Sequence, residues 1–154
     1  MKIDIREIIN DFIQVSTLAG VTLSEDEIIL EILPYPHSRP KELPSGKMAV
    51  YIFLLGDQCL KIGKAGPKSK ARYTSQHYNP NSSQSNLAKS ILKEKEQLGL
   101  DKIDETSVGK YIKDKTDRIN ILIDEKCGIP ILSLLESFLQ CRLKPKFEGF
   151  ESQK

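Results

Sequence analysis

The chain has 154 residues, of which 39% are hydrophobic and 29% charged, and a formal net charge of +2, values typical of one globular domain with room for an N-terminal appendage. The sequence lacks a run of about 18 apolar residues and has acids within its first segment, which excludes an ordinary transmembrane helix and a typical signal peptide and predicts no membrane association. Three cysteines without C-x-x-C spacing disfavour a disulfide framework or a thiolate zinc site, so we expect a cytoplasmic protein.

Two elements are predicted near the N-terminus. Apolar residues at helical spacing predict a short amphipathic helix over residues 4–14. Ser24 with Glu27 three residues later forms a capping box, which favours a second helix. We therefore predict a second helix, with a strand over the apolar run IILEIL, residues 28–33, as the alternative.

A proline-rich segment follows, with four prolines between residues 34 and 46. Proline lacks the N–H group that helices and sheets require, so this segment is predicted to be an extended linker, in which His37 has no assigned role. We therefore divide the chain into an N-terminal helical appendage with its linker, residues 1–45, and a main domain, residues 46–150.

The segment AVYIFLLGDQCLKIGKAG, residues 49–66, predicts a β-hairpin turning at Gly56-Asp57. Opposed residues share a face of the sheet, and a three-residue loop over 56–58 collects the apolar side chains on one face, whereas a two-residue loop mixes the faces. The longer loop is therefore predicted. The apolar face then carries Val50, Ile52, Leu54, Leu60 and Ile62, and the other carries Tyr51, Phe53, Cys59, Lys61 and Gly63. This register places Tyr51 and Lys61 diagonally adjacent.

Four helices and one strand are predicted after the hairpin from apolar periodicity and from Gly and Pro signals. The predicted helices cover residues 68–78, 86–99, 108–115 and 130–143, and the strand covers residues 118–124. The fold class predicted from this order is α+β: a small, three-stranded, mainly antiparallel sheet flanked by helices.

Charge is distributed unevenly along the chain. Residues 1–31 carry two basic and seven acidic side chains, net −5, whereas residues 61–95 carry eight basic side chains against Glu94 alone, net +7. A local excess of this size predicts a polyanion-binding surface, although a solvated lysine face is the simpler interpretation of a lysine run taken alone. The acidic segment is a candidate surface for a homodimer or another partner.

Five motif elements follow one another in the main domain. They are Ala49-Val50-Tyr51, then Lys61-Ile62-Gly63 ten residues on with Lys64 behind it, Arg72 in a helix, Glu136 in LLESFL, and Lys144-Pro145-Lys146-Phe147. In this order the elements resemble the GIY-YIG endonuclease superfamily over about residues 46–150. Lys61 stands at the second motif tyrosine, as in some restriction-type members, and the 63 residues between Arg72 and Glu136 resemble the insertion of such members. Glu148 replaces the usual asparagine, and it is either a second metal ligand or a residue of the tail.

The resemblance implies a divalent-metal-dependent endonuclease, a hydrolase acting on DNA phosphodiester bonds. It implies that Tyr51 activates or orients the attacking water and that Arg72 holds a phosphate oxygen. Glu136 is the implied ligand for Mg²⁺ or Mn²⁺, and the cationic Lys61 and Lys64 would make the tyrosine easier to deprotonate. Further predicted nucleic-acid contacts are Lys68, Lys70, His77 and Lys89.

Each of these residues also has a purely structural interpretation. Tyr51 could cover a sheet face, Lys61 could be an exposed strand lysine, and Glu136 lies on a polar stripe of an otherwise apolar helix. The alternative function is therefore a catalytically altered nucleic-acid-binding module of GIY-YIG fold. A protein-interaction domain is a third interpretation.

Overall fold

The computed structural model describes residues 3–147, which form an α+β fold with a four-stranded, entirely antiparallel sheet. The strands are β1 (Ile28–Leu33), β2 (Lys47–Leu55), β3 (Gln58–Ala65) and β4 (Asp117–Asp124), and their order across the sheet is β1-β4-β2-β3. The α-helices are α1 (Ile5–Leu18), α2 (Lys70–Thr74), α3 (Leu87–Lys93), α4 (Val108–Lys115) and α5 (Ile129–Leu143). None of the helices in this part of the chain has the length and apolar content needed to cross a membrane.

The predicted three-stranded sheet and the second N-terminal helix are both wrong. The Glu27 carboxylate does accept a hydrogen bond from the backbone N–H of Ser24, but the capping box begins only one 3-10 turn. The chain then continues as β1, in which Leu30 lies opposite Ile121 of β4. β-Branched residues favour a pleated, half-buried surface, and pairing with the isoleucine-rich β4 outweighs the local helix signal.

The β2–β3 hairpin combines features of both registers considered from the sequence. Residues Ala49 to Phe53 pair as predicted, with Tyr51 opposite Gly63. The loop nevertheless has two residues, and its first, Gly56, has a φ of +59°, which suits a tight hairpin turn. A β-bulge after Phe53 absorbs the difference, so Leu54 pairs with Cys59. The predicted faces of Cys59 and Leu60 are therefore interchanged.

Two hydrophobic cores lie on the two faces of the sheet. Helices α1 and α5 cover one face, where the buried residues include Ile5, Phe12, Val50, Ile62 and Leu135. Helices α3 and α4, with Tyr73 of α2, cover the other, where the buried residues include Tyr51, Phe53, Tyr73, Leu87 and Ile112. The N-terminal segment thus supplies a strand of the sheet and a helix of its core rather than only helices.

Two of the four helices after the hairpin are shorter than their sequence patterns predict. The predicted helix over 68–78 is divided into α2 and a 3-10 turn, Gln76–Tyr78, and α3 ends at Lys93 instead of residue 99. The predictions for α4, β4 and α5 agree with the structure to within one residue at each end. The break after α2 turns His77 toward the sheet.

Candidate active site

Two rows of side chains cross the sheet on the face covered by α3 and α4. Strand pairing places Glu31, Asn120, Tyr51 and Gly63 side by side in the first row. The second row, one step closer to the hairpin turn, contains Leu33, Arg118, Phe53 and Lys61. Polar side chains from three strands are therefore gathered around one tyrosine.

Gly63 determines where the Tyr51 ring can lie. A Cβ atom at Gly63 would be 2.4 Å from the Tyr51 hydroxyl oxygen and 2.6 Å from its Cζ. Such distances are far below van der Waals contact, so no side chain fits at this position while the ring stays in place. The position of the Tyr51 ring therefore requires a glycine at position 63 of β3.

The Tyr51 hydroxyl receives two hydrogen bonds. The backbone N–H of Leu87 donates to Nδ1 of His77 at 3.1 Å, so the proton of the neutral imidazole lies on Nε2. This Nε2 is 2.6 Å from the Tyr51 oxygen and donates to it, and Nε of Arg72 donates to the same oxygen at 3.2 Å. Two donors on one phenolic oxygen favour its ionised form.

The groups around this pair keep the His77 ring neutral, and some of them raise the pKa of Tyr51 while others lower it. Burial lowers the pKa of His77 well below its ordinary value, and the positive charges of Lys61, Arg118 and Arg72 lower it further. Burial raises the pKa of Tyr51 above its ordinary value, and Glu136 adds to that rise, while the charge and hydrogen bond of Arg72 and the charge of Arg118 oppose it. His77 therefore acts as a fixed, neutral donor to Tyr51.

Lys61 is an almost buried cation without a bound partner. Its side chain is only 4% exposed, and its ammonium makes no hydrogen bond or ion pair with residues 3–147. Burial lowers the pKa of Lys61, as does the charge of Arg72, while Glu136 raises it. Burying a charge without a partner is costly, so this ammonium is suited to receive an anion.

Glu136 of α5 faces the same group of cations. One of its carboxylate oxygens is 3.9 Å from Nζ of Lys64, whose ammonium also donates to the Ser133 hydroxyl at 3.3 Å. Burial raises the pKa of Glu136, whereas Lys64, Arg72 and Lys61 lower it. Only 19% of the Glu136 side chain is exposed, so it is not the solvent-facing residue that the polar stripe suggests.

The five residues predicted as catalytic thus come together, but the predicted nucleic-acid contacts are dispersed. Lys68 and Lys70 are exposed and lie in the chain just before Arg72. Lys89 is exposed on α3, where it donates to the carbonyl of Ser83. His77 is 1% exposed and lies behind Tyr51, where it cannot contact DNA directly.

His37 and Arg118 have roles that the sequence did not suggest. His37 is buried, with Nδ1 donating to the carbonyl of Thr116 and Nε2 accepting from the Tyr78 hydroxyl, each at 2.9 Å. Arg118 is fully buried beside Tyr51. The available signal was the alternation in β4, which places Arg118 and Asn120 on the face opposite its isoleucines.

The donor set allows a metal ion held by one protein carboxylate. Residues 3–147 contain no group of three or more His, Cys, Asp or Glu side chains placed to hold a metal ion. Mg²⁺ retains several waters and takes few protein ligands, with phosphate oxygens completing its shell, so Glu136 fits this type of binding. Glu148, a second candidate ligand, lies outside the described residues.

Comparison of the chain with protein-family models, with curated proteins and with solved structures finds no match. The resemblance carried by the five motif elements therefore stays a prediction. What this chain can do is inferred from the arrangement of Tyr51, Lys61, Lys64, Arg72 and Glu136 and from the chemistry of those groups.

Proposed function

We propose that the chain is a divalent-metal-dependent endonuclease that hydrolyses DNA phosphodiester bonds through a GIY-YIG-like domain. The observation that carries this proposal is the convergence of five side chains from four separate elements. Arg72 of α2 donates to the Tyr51 hydroxyl of β2, and Glu136 of α5 pairs with Lys64 of β3. The charges of Arg72 and Glu136 also act on Lys61 of β3.

Two cations, Lys61 and Arg72, have groups left to bind a phosphate. Lys61 has no partner among residues 3–147, and the Nη groups of Arg72 make no hydrogen bond within that part of the chain because only its Nε is used. Arginine binds phosphate through two parallel N–H groups, and lysine adds a point charge. These groups would stabilise the negative charge that develops on the phosphate during hydrolysis.

Tyr51 is the proposed proton acceptor. Its ionised oxygen takes a proton from water, the water oxygen bonds to phosphorus, and one P–O ester bond breaks. The leaving oxygen takes a proton from solvent, so the products are a phosphate monoester and an alcohol. The tyrosine has no exposed surface, and the exposed Arg72 lies on its hydroxyl, so a substrate phosphate that draws the guanidinium away also opens the path for water. His77 holds the oxygen in position.

Glu136 is the proposed ligand for Mg²⁺ or Mn²⁺. When bound, the metal ion polarises the phosphate and stabilises the leaving oxygen. Burial raises the pKa of Glu136 above its ordinary value, and the charges of Lys64, Arg72 and Lys61 oppose that rise. These charges favour the ionised carboxylate, which is the form that ligates a metal.

The test is nicking of supercoiled plasmid DNA in Mg²⁺ by the wild type, Tyr51→Phe and Glu136→Gln. We expect the wild type to nick, Tyr51→Phe to be slower by roughly 10²- to 10⁴-fold, and Glu136→Gln to lose metal-dependent cleavage. The matched controls are Tyr35→Phe, at a residue that is 55% exposed, and Glu7→Gln, at an exposed residue of α1, which covers the sheet face opposite Tyr51. Both controls should retain wild-type rates.

A nucleic-acid-binding module that lacks catalysis is the second candidate. The full burial of Tyr51 favours it. Wild-type protein that binds DNA with salt-sensitive affinity, yet leaves the plasmid intact in both Mg²⁺ and Mn²⁺, would establish this candidate. DNA affinity that does not change with salt would instead indicate a protein-interaction domain.

A further inference from the structure

Arg118 is a charged side chain in the centre of the molecule. It has no exposed surface, and each of its three guanidinium nitrogens donates a hydrogen bond. Nε donates to the side-chain oxygen of Asn120 at 2.8 Å, Nη1 to the Tyr78 hydroxyl at 3.1 Å, and Nη2 to the carbonyl of Tyr73 at 2.6 Å. The orientation of the guanidinium is therefore fixed.

Aromatic rings surround this guanidinium. Its central carbon is 5.0 to 5.9 Å from the ring centres of Tyr51, Phe53, Tyr73 and Tyr78. A cation near a ring face is attracted by the negative face of the ring. The attraction to Tyr51 grows when that tyrosine ionises, because the negative charge of a phenolate spreads into the ring.

No carboxylate among residues 3–147 forms an ion pair with Arg118. The nearest connection to an acid runs through Asn120, whose amide nitrogen donates to the Glu31 carboxylate at 3.2 Å. Burying a cation without a direct counter-ion is expensive, and an apolar side chain of similar size is often at least as stable in such a place. The charge therefore calls for an explanation other than packing.

The two tyrosine–histidine pairs beside Arg118 have opposite hydrogen-bond directions. Tyr78 donates its proton to Nε2 of His37, because Nδ1 of His37 carries the proton bound to the Thr116 carbonyl. The Tyr51 oxygen instead accepts from His77 and Arg72, and its own proton has no acceptor among residues 3–147. Of the two phenols, Tyr51 is therefore the one whose proton no acceptor in this part of the chain holds in place.

We propose that Arg118 is a positioning residue that favours the phenolate form of Tyr51 through its fixed charge over the ring. Its role in catalysis rests on the proposed function, but its effect on Tyr51 does not. The other charged groups around the Tyr51–His77 pair are Arg72 on α2, Lys61 on β3 and Glu136 on α5. α3 contributes the backbone N–H of Leu87.

The experiment measures the ionisation midpoint of Tyr51 from the carbon-13 chemical shift of its Cζ, assigned with Tyr51→Phe, in protein without DNA or metal. Arg118→Met should raise this midpoint by about one pH unit or more, because the phenolate loses a cation. Arg142→Met is the matched control, since Arg142 also stacks on a ring, that of Phe138, but pairs with Asp11 away from the site. It should leave the midpoint unchanged.

A second variant keeps the proposal testable if Arg118→Met does not fold. Glu31→Gln preserves an acceptor for Asn120 but removes the negative charge that offsets Arg118, so it should lower the Tyr51 midpoint. The proposal would be overturned if folded Arg118→Met leaves the midpoint unchanged, or if Glu31→Gln leaves it unchanged or raises it. It would also be overturned if in every variant Tyr51 does not ionise within the pH range over which the protein stays folded. Plasmid cleavage is scored separately, so a chain without nuclease activity can still support or contradict it.

Discussion

Among the single side chains, Gly63 makes the sharpest prediction. In Gly63→Ala the new methyl group must displace the Tyr51 hydroxyl, which breaks its hydrogen bonds to His77 and Arg72. A displacement of about 1 Å costs roughly 10²-fold in rate, so we expect a plasmid-nicking rate at least that much lower. Overpacking should also lower the free energy of unfolding by about 1–3 kcal/mol, measured in urea.

The control for this prediction is the next glycine on the same segment. A Cβ at Gly66 would have its nearest neighbour, Cδ1 of Ile129, at 3.8 Å, which is ordinary contact. Gly66→Ala should therefore nick at the wild-type rate. Equal rates for the two variants would show that the position of Tyr51 does not limit the reaction.

The site residues that could be predicted from the sequence are those with a motif around them. The motif residues are recognisable by their neighbours. Tyr51 and Lys61 lie in the hairpin that contains Gly63, Arg72 lies in a predicted helix, and Glu136 precedes Pro145. Arg118 and His37 have no such neighbours, and a charged or polar residue is normally read as exposed. Their burial depends on rings and carbonyls contributed by distant parts of the chain, which a local pattern does not contain.

Among the helices and strands, long periodic segments were predictable and ambiguous short ones were not. β4 and α5 agree with their apolar patterns because each one buries a continuous face. Residues 28–33 fit two patterns, and only the partner strand β4 decides between them. The bulge after Phe53 could not be predicted from the sequence either. The apolar pattern favoured a three-residue loop, whereas the bulge allows a two-residue loop with the same pairing from Ala49 to Phe53.

The contribution of α1 can be tested through Phe12, which is fully buried and packs against Phe138 of α5 with ring centres 5.6 Å apart. Phe12→Ala should lower the free energy of unfolding by about 3–5 kcal/mol, because it removes a large buried side chain. The measurement is urea unfolding followed by circular dichroism. We expect one cooperative transition that moves to lower urea concentration.

Leu18→Ala is the control for this change, since Leu18 is 89% exposed and should have little effect. The division of the chain at residue 45 stays a prediction, and the same experiment addresses it. A separate early transition in Phe12→Ala, with the main transition unchanged, would show that residues 1–45 unfold as an independent appendage.

Across the protein as a whole, the uneven charge of the sequence becomes an uneven charge of the surface. α1, with its acidic residues, packs on the sheet face opposite Tyr51, where it lies beside α5. Lys68, Lys70 and Arg72 are exposed beside the site itself. A field of this kind attracts a polyanion to the basic side, so under the proposed function we expect it to orient DNA toward Tyr51 before any specific contact forms.

This arrangement predicts how DNA affinity depends on salt. Each phosphate contact contributes about −0.9 to the slope of log K against log salt concentration, so Lys68→Gln/Lys70→Gln should reduce the magnitude of that slope by about 1.8. Fluorescence anisotropy with a labelled duplex measures the slope. Arg6→Gln, at an exposed residue of α1, removes one positive charge and is the control, with the changes of slope compared per charge removed. The double variant should nick saturating DNA at the wild-type rate, because neither lysine contacts Tyr51. An equal change of slope per charge in Arg6→Gln would mean that DNA responds only to net charge and is not oriented by this face.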